Sequence, residues 1–187
     1  MLLERNDVNP NTPDWNGETP FMWAAQSGYE GIVRRLLERN DVNPNAVDER
    51  SASPLLIAAF YGQEGVARML LERNDVNAGR ASGNAQTPLL QATRKGDEGI
   101  VRMLLERNDV NPNTPDGNGE TPLLLAAQFG HEGIVRRLLE RNDVFPDPAE
   151  TYSKTPLLRA AENGHEGIVG MLLERNEVNP DTADGGG

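Results

Sequence analysis

Thr121-Pro122-Leu123-Leu124-Leu125-Ala126-Ala127-Gln128-Phe129-Gly130-His131-Glu132-Gly133-Ile134-Val135-Arg136-Arg137-Leu138-Leu139-Glu140-Arg141-Asn142 reads as two short helices joined by a hinge. Thr121 caps free amide groups at a helix start, and Pro122 has its backbone angle preset for the first helical position. Leu123, Ala126 and Ala127 make a narrow face that lets a neighbouring backbone approach. Gly130 ends the helix as a left-handed cap. The pattern predicts a second helix from about His131 to Arg141. Its Ile134, Val135, Leu138 and Leu139 form a stripe wide enough to face two neighbours. Asn142 then stands where a left-handed cap is expected, Asn being second to Gly in that role.

This unit recurs without a slip. The opening prolines are Pro20, Pro54, Pro88, Pro122 and Pro156, and the hinge glycines are Gly28, Gly62, Gly96, Gly130 and Gly164, always 34 residues apart. The tetrad Leu-Leu-Glu-Arg begins at Leu2, Leu36, Leu70, Leu104, Leu138 and Leu172 on the same step. Stacked units need such regularity because each buries its apolar face only against its neighbours. Between helix pairs, stretches such as Val110-Asn111-Pro112-Asn113-Thr114-Pro115-Asp116-Gly117-Asn118-Gly119 demand turns. The expected fold is an all-α repeat solenoid of helix-turn-helix units with β-hairpin-like fingers between them. Residues 1–11 form a partial repeat, 12–45, 46–79, 80–113, 114–147 and 148–181 five full ones, and 182–187 the start of a truncated one.

A formal charge of −11 argues against nucleic acid as a partner, since phosphate contacts need a basic stripe. With no cysteine, neither disulfides nor thiolate metal sites support the fold. Met1-Leu2-Leu3 runs at once into Glu4 and Arg5, leaving no apolar core for a secretory signal, and no apolar run is long enough to span a membrane. The expectation is an intracellular, cytoplasmic protein that needs no cofactor.

Thr121-Pro122-Leu123, Ala126-Ala127, Gly130-His131, Ile134-Val135, Leu138-Leu139 and Asp143-Val144 resemble the ankyrin repeat in order and spacing. The resemblance covers essentially residues 1 to 182. Tetratricopeptide repeats share the 34-residue period, but their Trp…Leu-Gly…Tyr signature is absent. The chain departs from the ankyrin pattern in three ways. Met22, Leu56, Leu90, Leu124 and Leu158 replace the usual histidine, so apolar packing is expected to substitute for its hydrogen bond. A single Asn (Asn40, Asn74, Asn108, Asn142, Asn176) replaces Gly-Ala, and the finger is longer. Gly31, Gly65, Gly99, Gly133 and Gly167 enter the first turn of the second helix.

Positions that differ between copies fall at fixed places. Finger tips carry Trp15, Asn16, Glu18, Glu49, Arg50, Asn84, Gln86, Tyr152 and Lys154. First-helix ends carry Gln26, Phe60, Tyr61, Arg94, Lys95, Gln128, Phe129 and Glu162. One position inside the first helix reads Trp23, Ile57, Gln91, Leu125 and Arg159. The resemblance implies that fingers and first helices line a concave, partner-binding face. Of nine aromatics, six (Trp15, Trp23, Phe60, Tyr61, Phe129, Tyr152) fall in this set, the composition of a recognition hot spot. Trp23 fits equally a gap between neighbouring first helices. The paired Glu38-Arg39, Glu72-Arg73, Glu106-Arg107 and Glu140-Arg141 are expected to be a solvated framework face.

Catalytic chemistry has no foothold. His131 and His165 sit at the hinge without partners at catalytic spacing. Asp116-Gly117-Asn118-Gly119-Glu120 lacks the glycine and the distant glutamate of a calcium loop. The expected function is a non-catalytic module for a protein partner. The alternatives are a passive spacer array of a larger protein or an engineered repeat scaffold. Neither end has a polar capping repeat, so weak end-to-end association through Ile168 and Leu172 is also expected.

Overall fold

In the computed structural model the described residues are 9–146, 155–176 and 178. Among them stand ten helices: α1 (Pro20–Ser27), α2 (Glu30–Leu37), α3 (Pro54–Tyr61), α4 (Glu64–Leu71), α5 (Pro88–Lys95), α6 (Glu98–Leu105), α7 (Pro122–Phe129), α8 (Glu132–Leu139), α9 (Pro156–Glu162) and α10 (Glu166–Leu173). First helices pack in series, α1 on α3, α3 on α5, α5 on α7 and α7 on α9, with the second helices stacked behind. No strand occurs among the described residues. This is the all-α repeat solenoid.

Local chemistry sets each first helix. Thr19, Ser53, Thr87, Thr121 and Thr155 accept the amide three residues on, at 3.2–3.3 Å. Gly28, Gly62, Gly96 and Gly130 close α1, α3, α5 and α7 with φ between 70° and 76°. The core repeats on the same step. Phe21, Leu55, Leu89 and Leu123 are each 1% exposed, and Val66, Ile100, Ile134 and Ile168 are fully buried. Met22, Leu56, Leu90 and Leu124 are buried where the family has histidine, so apolar packing does stand in that place.

Three expectations are corrected. First, α8 ends at Leu139, and Asn142 is not left-handed. Ser51 and Ala85 are the only non-glycine residues at positive φ among the described residues. Second, the Glu-Arg pairs are not a uniformly solvated face. The glutamates are exposed, but the arginines from Arg73 onward turn back onto the preceding repeat. Arg73, Arg107, Arg141 and Arg175 donate to the carbonyls of Leu37, Leu71, Leu105 and Leu139, the last residues of α2, α4, α6 and α8, at 2.6–3.3 Å. These oxygens have no acceptor role inside their own helix, which is why no left-handed cap is needed. Arg107 also reaches Arg73 O and Val76 O, both at 3.0 Å. Asp75, Asp109 and Asp143 hold their arginines at 2.7–2.9 Å, and those ion-paired carboxyls sit below the ordinary aspartate range. Third, Ile168 and Leu172 are fully buried and so are not the exposed residues of that end; Leu173 of α10 is 52% exposed.

A second tie lies in the loop after each second helix. Asn45 donates to Asp75 O (2.6 Å) and accepts from Asn77 N (2.9 Å), and Asn113 does the same with Asp143 O (2.6 Å) and Phe145 N (2.9 Å). Asn11 likewise bridges Asp41 and Asn43. At the end of the second full repeat Gly79 stands in place of this Asn, and a Cβ there would stand 2.3 Å from the Asp109 carbonyl oxygen. The tie is then made by Asp109, which accepts from Ala78 N at 3.0 Å.

Each of the four described fingers closes on one acidic or hydroxyl side chain. Asp14, Asp48 and Asp116 each accept two finger amides through Oδ1, at 2.8–3.0 Å, and Ser82 accepts one at 3.3 Å. The fourth finger residue is left-handed: Gly17, Ser51, Ala85 and Gly119. Neighbouring fingers join through Glu49 N to Asn16 O (3.1 Å) and Gly83 N to Arg50 O (3.0 Å).

Two predictions follow from these ties. Arg107→Ala is expected to cost about 1.5–3 kcal/mol in urea unfolding, and Glu106→Ala no more than about 0.5 kcal/mol; equal losses would return Arg107 to the solvated face. Ser51→Gly and Ala85→Gly should each stabilise by about 0.5–1 kcal/mol, because a left-handed side chain costs roughly 1–2 kcal/mol and the added chain entropy of glycine offsets about half of it. A loss of stability on either change would show that the turn is unstrained.

Candidate functional site

Fingers and first helices of the first three repeats enclose an open hollow of about 230 Å³. Nine of the variable residues line it: Glu18, Gln26, Arg50, Ile57, Phe60, Tyr61, Asn84, Gln86 and Gln91. Leu56 and Ile57, both buried, make an apolar floor. Phe60 and Tyr61, 50% and 45% exposed, form a wall whose rings meet edge to face at 5.0 Å. Lys95 Nζ stands 5.9 Å from the Phe60 centroid. Asp48, Ala52 and Ser82 complete the lining; Asp48 and Ser82 were not among the sequence candidates. The recurrence of Asp14, Asp48 and Asp116 on the repeat step was the signal for Asp48.

Beyond the hollow the candidates separate. Trp15 is 85% exposed at its finger tip, and Phe129 44% at the end of α7. Trp23, 47% exposed, does not fill an interhelical gap; its Nε1 donates to Asp14 Oδ2 at 3.3 Å. Glu49 is exposed and Asn16 half-buried. Leu125, at 1% exposure, is core and presents nothing to a partner, while Ile57 (7%) and Gln91 (8%) serve only as floor and wall. The close stacking of first helices takes those positions out of solvent. Tyr152 and Lys154 lie outside the described residues.

A second group of candidates is occupied internally. Gln91 donates to Gln86 Oε1 (2.7 Å), Gln86 to Asp116 Oδ2 (3.4 Å), and Arg94 to the same oxygen at 2.9 Å. Glu120 lies 3.7 Å from Arg94 and 3.9 Å from Arg159, which also pairs with Glu162 at 3.4 Å. Gln128 keeps its Oε1 buried. The chain of contacts crosses three repeats and centres on Asp116, which is 5% exposed. Burial pushes the Asp116 carboxyl up, but the amides of Glu120 and Asn118, with Gln86 and Arg94, outweigh that and hold it below the ordinary aspartate range.

Of the two hinge histidines His165 makes an inter-repeat tie, while the Nε2 of His131 is buried with no hydrogen-bond partner among the described residues. His165 Nε2 lies 3.1 Å from Gln128 O, at the end of the preceding first helix, and Gln63 makes the same tie to Gln26 O at 2.9 Å. Asp97, an acceptor, caps its own helix instead through Ile100 N (3.0 Å). Among the described residues no three acidic or histidine side chains gather as a metal site, and no helix is long and apolar enough to cross a membrane.

A family model described as "Ankyrin repeats (3 copies)" matches residues 1–80, 41–116 and 89–184. A search of curated proteins finds no match to the chain.

The Asp116 network yields a pH test. Because its carboxyl is held low when folded, its contribution is present above the unfolded range and lost as pH falls through the folded value. Asp116→Asn is expected to cost about 1–3 kcal/mol at pH 7, with the gap to the parent narrowing towards pH 3 in urea unfolding. A gap independent of pH would remove Asp116 from that role.

Proposed function

The chain belongs to the ankyrin repeat family, whose members are generally non-catalytic protein-binding arrays, and from that premise we propose that it is such a module, binding a protein partner on its concave finger and first-helix surface. The observation that carries this reading is the hollow with its flanking aromatics. Phe60 and Tyr61 wall it, Trp15 and Trp23 lie on the first finger and first helix, and Phe129 lies further along the same stack. Exposed aromatics give large contact areas at low side-chain entropy cost, and they dominate measured binding energies. The face is predominantly acidic at its first two repeats and carries no basic stripe, which favours protein over nucleic acid.

Affinity capture with the intact chain, compared with a Trp15→Ala, Tyr61→Ala, Phe129→Ala triple variant, tests the reading. The variant is expected to lose the captured partner at least tenfold while its thermal midpoint stays within a few degrees. Undiminished capture would place recognition on another surface.

A further inference from the structure

The geometry points to a basic segment of a partner protein as the occupant of the hollow, with an arginine or lysine side chain seated between the Phe60–Tyr61 wall and the Glu18 and Asp48 carboxylates. This rests on the concave-face reading above and names the chemistry of its partner.

Charge divides along the stack. In the finger and first-helix stretches of the first two full repeats (12–28 and 46–62), Asp14, Glu18, Asp48 and Glu49 face Arg50 alone, four acids to one base, a net of −3. In the next two (80–96 and 114–130), Arg80, Arg94 and Lys95 face Asp116 and Glu120, a net of +1. The hollow opens at the acidic end. The acids there are unequally engaged: Asp14 and Asp48 hold finger amides. Glu18, half-buried on the hollow's rim, donates its own amide to Asp14, while its carboxylate accepts no hydrogen bond from a described residue. Burial, then Asp14 and Asp48, push that carboxyl above the ordinary glutamate range, with Arg50 only partly compensating. An entering cation relieves this crowding.

The wall suits the same guest. An aromatic face attracts a cation through its quadrupole, most strongly where water is partly excluded. Phe60 already has Lys95 Nζ at 5.9 Å. The apolar floor of Leu56 and Ile57 matches the methylene stem of a long basic side chain, whose charged head would reach the acidic rim. An acidic guest would meet two carboxylates, Glu18 and Asp48, and one arginine, Arg50.

Both tryptophans of the chain, Trp15 and Trp23, lie in this acidic half, so intrinsic fluorescence reports occupancy. The test titrates the full chain with the acetylated peptide Gly-Leu-Arg-Leu-Arg-Leu-Gly and with its twin carrying glutamate at both arginines, in low salt, with calorimetry in parallel. The arginine peptide is expected to bind at least about tenfold more tightly, and to weaken at least about threefold on raising salt to 0.3 M. Glu18→Lys should lower its affinity about tenfold and Glu18→Gln about threefold, with unfolding curves confirming that both variants fold. Equal binding of the two peptides, no binding of either, or affinity within twofold of the parent in both Glu18 variants would overturn the basic occupant. Those outcomes leave concave recognition to the capture experiment, which does not depend on peptide charge.

Discussion

The last carbonyl oxygens of α2, α4, α6 and α8 have no acceptor role inside their own helix, and the arginine of the next repeat supplies a donor. Arg107 shows the arrangement at its fullest, joining Leu71 O, Arg73 O and Val76 O while Asp109 orients its other edge. A guanidinium suits this place because its donors are rigid, planar and permanently charged. The rest of the stack depends on it. With the helix end satisfied from outside, the chain leaves each second helix without a left-handed turn. It passes directly into the asparagine loop, whose side chains set the register of one repeat on the next.

That register aligns the fingers, which with the first helices make one continuous face. The face is not uniform. In the third to fifth repeats, Gln86, Gln91, Arg94, Asp116, Glu120 and Arg159 join in one network of hydrogen bonds and ion pairs. In the first three repeats, Phe60 and Tyr61 wall an open hollow, and the Glu18 carboxylate on its rim accepts no hydrogen bond from a described residue. The network and the hollow therefore occupy neighbouring segments of one surface. A fixed network next to an open pocket keeps the pocket preformed, lowering the ordering cost of binding.

Much of the fold was legible because it rests on local chemistry. A threonine before a proline starts a helix, and a glycine in a left-handed turn ends it, whatever stands nearby; the cap bonds of Thr19 and Thr121 and the φ values of Gly28 and Gly130 follow. The concave candidates were legible only as a set. Periodicity identified which positions vary, but the difference between Leu125, at 1% exposure, and Trp23, at 47%, is a difference in neighbours. The arginines misled for the same reason: beside an exposed glutamate, a charged residue on a helix end reads as solvated.

The sequence by itself determined the repeat, its period, the helix starts and first-helix stops, and the confinement of most aromatics to variable positions. Each of these is decided within a few residues by backbone preference and apolar spacing. Tertiary structure alone decided which side chains turn back onto the preceding repeat, which candidates the stacking buries, and where the fingers part to leave a hollow. Those outcomes depend on atoms roughly one whole repeat apart in the chain, such as Arg141 and Leu105 or His165 and Gln128. Periodicity makes such pairs recur, but only packing brings them within bonding distance.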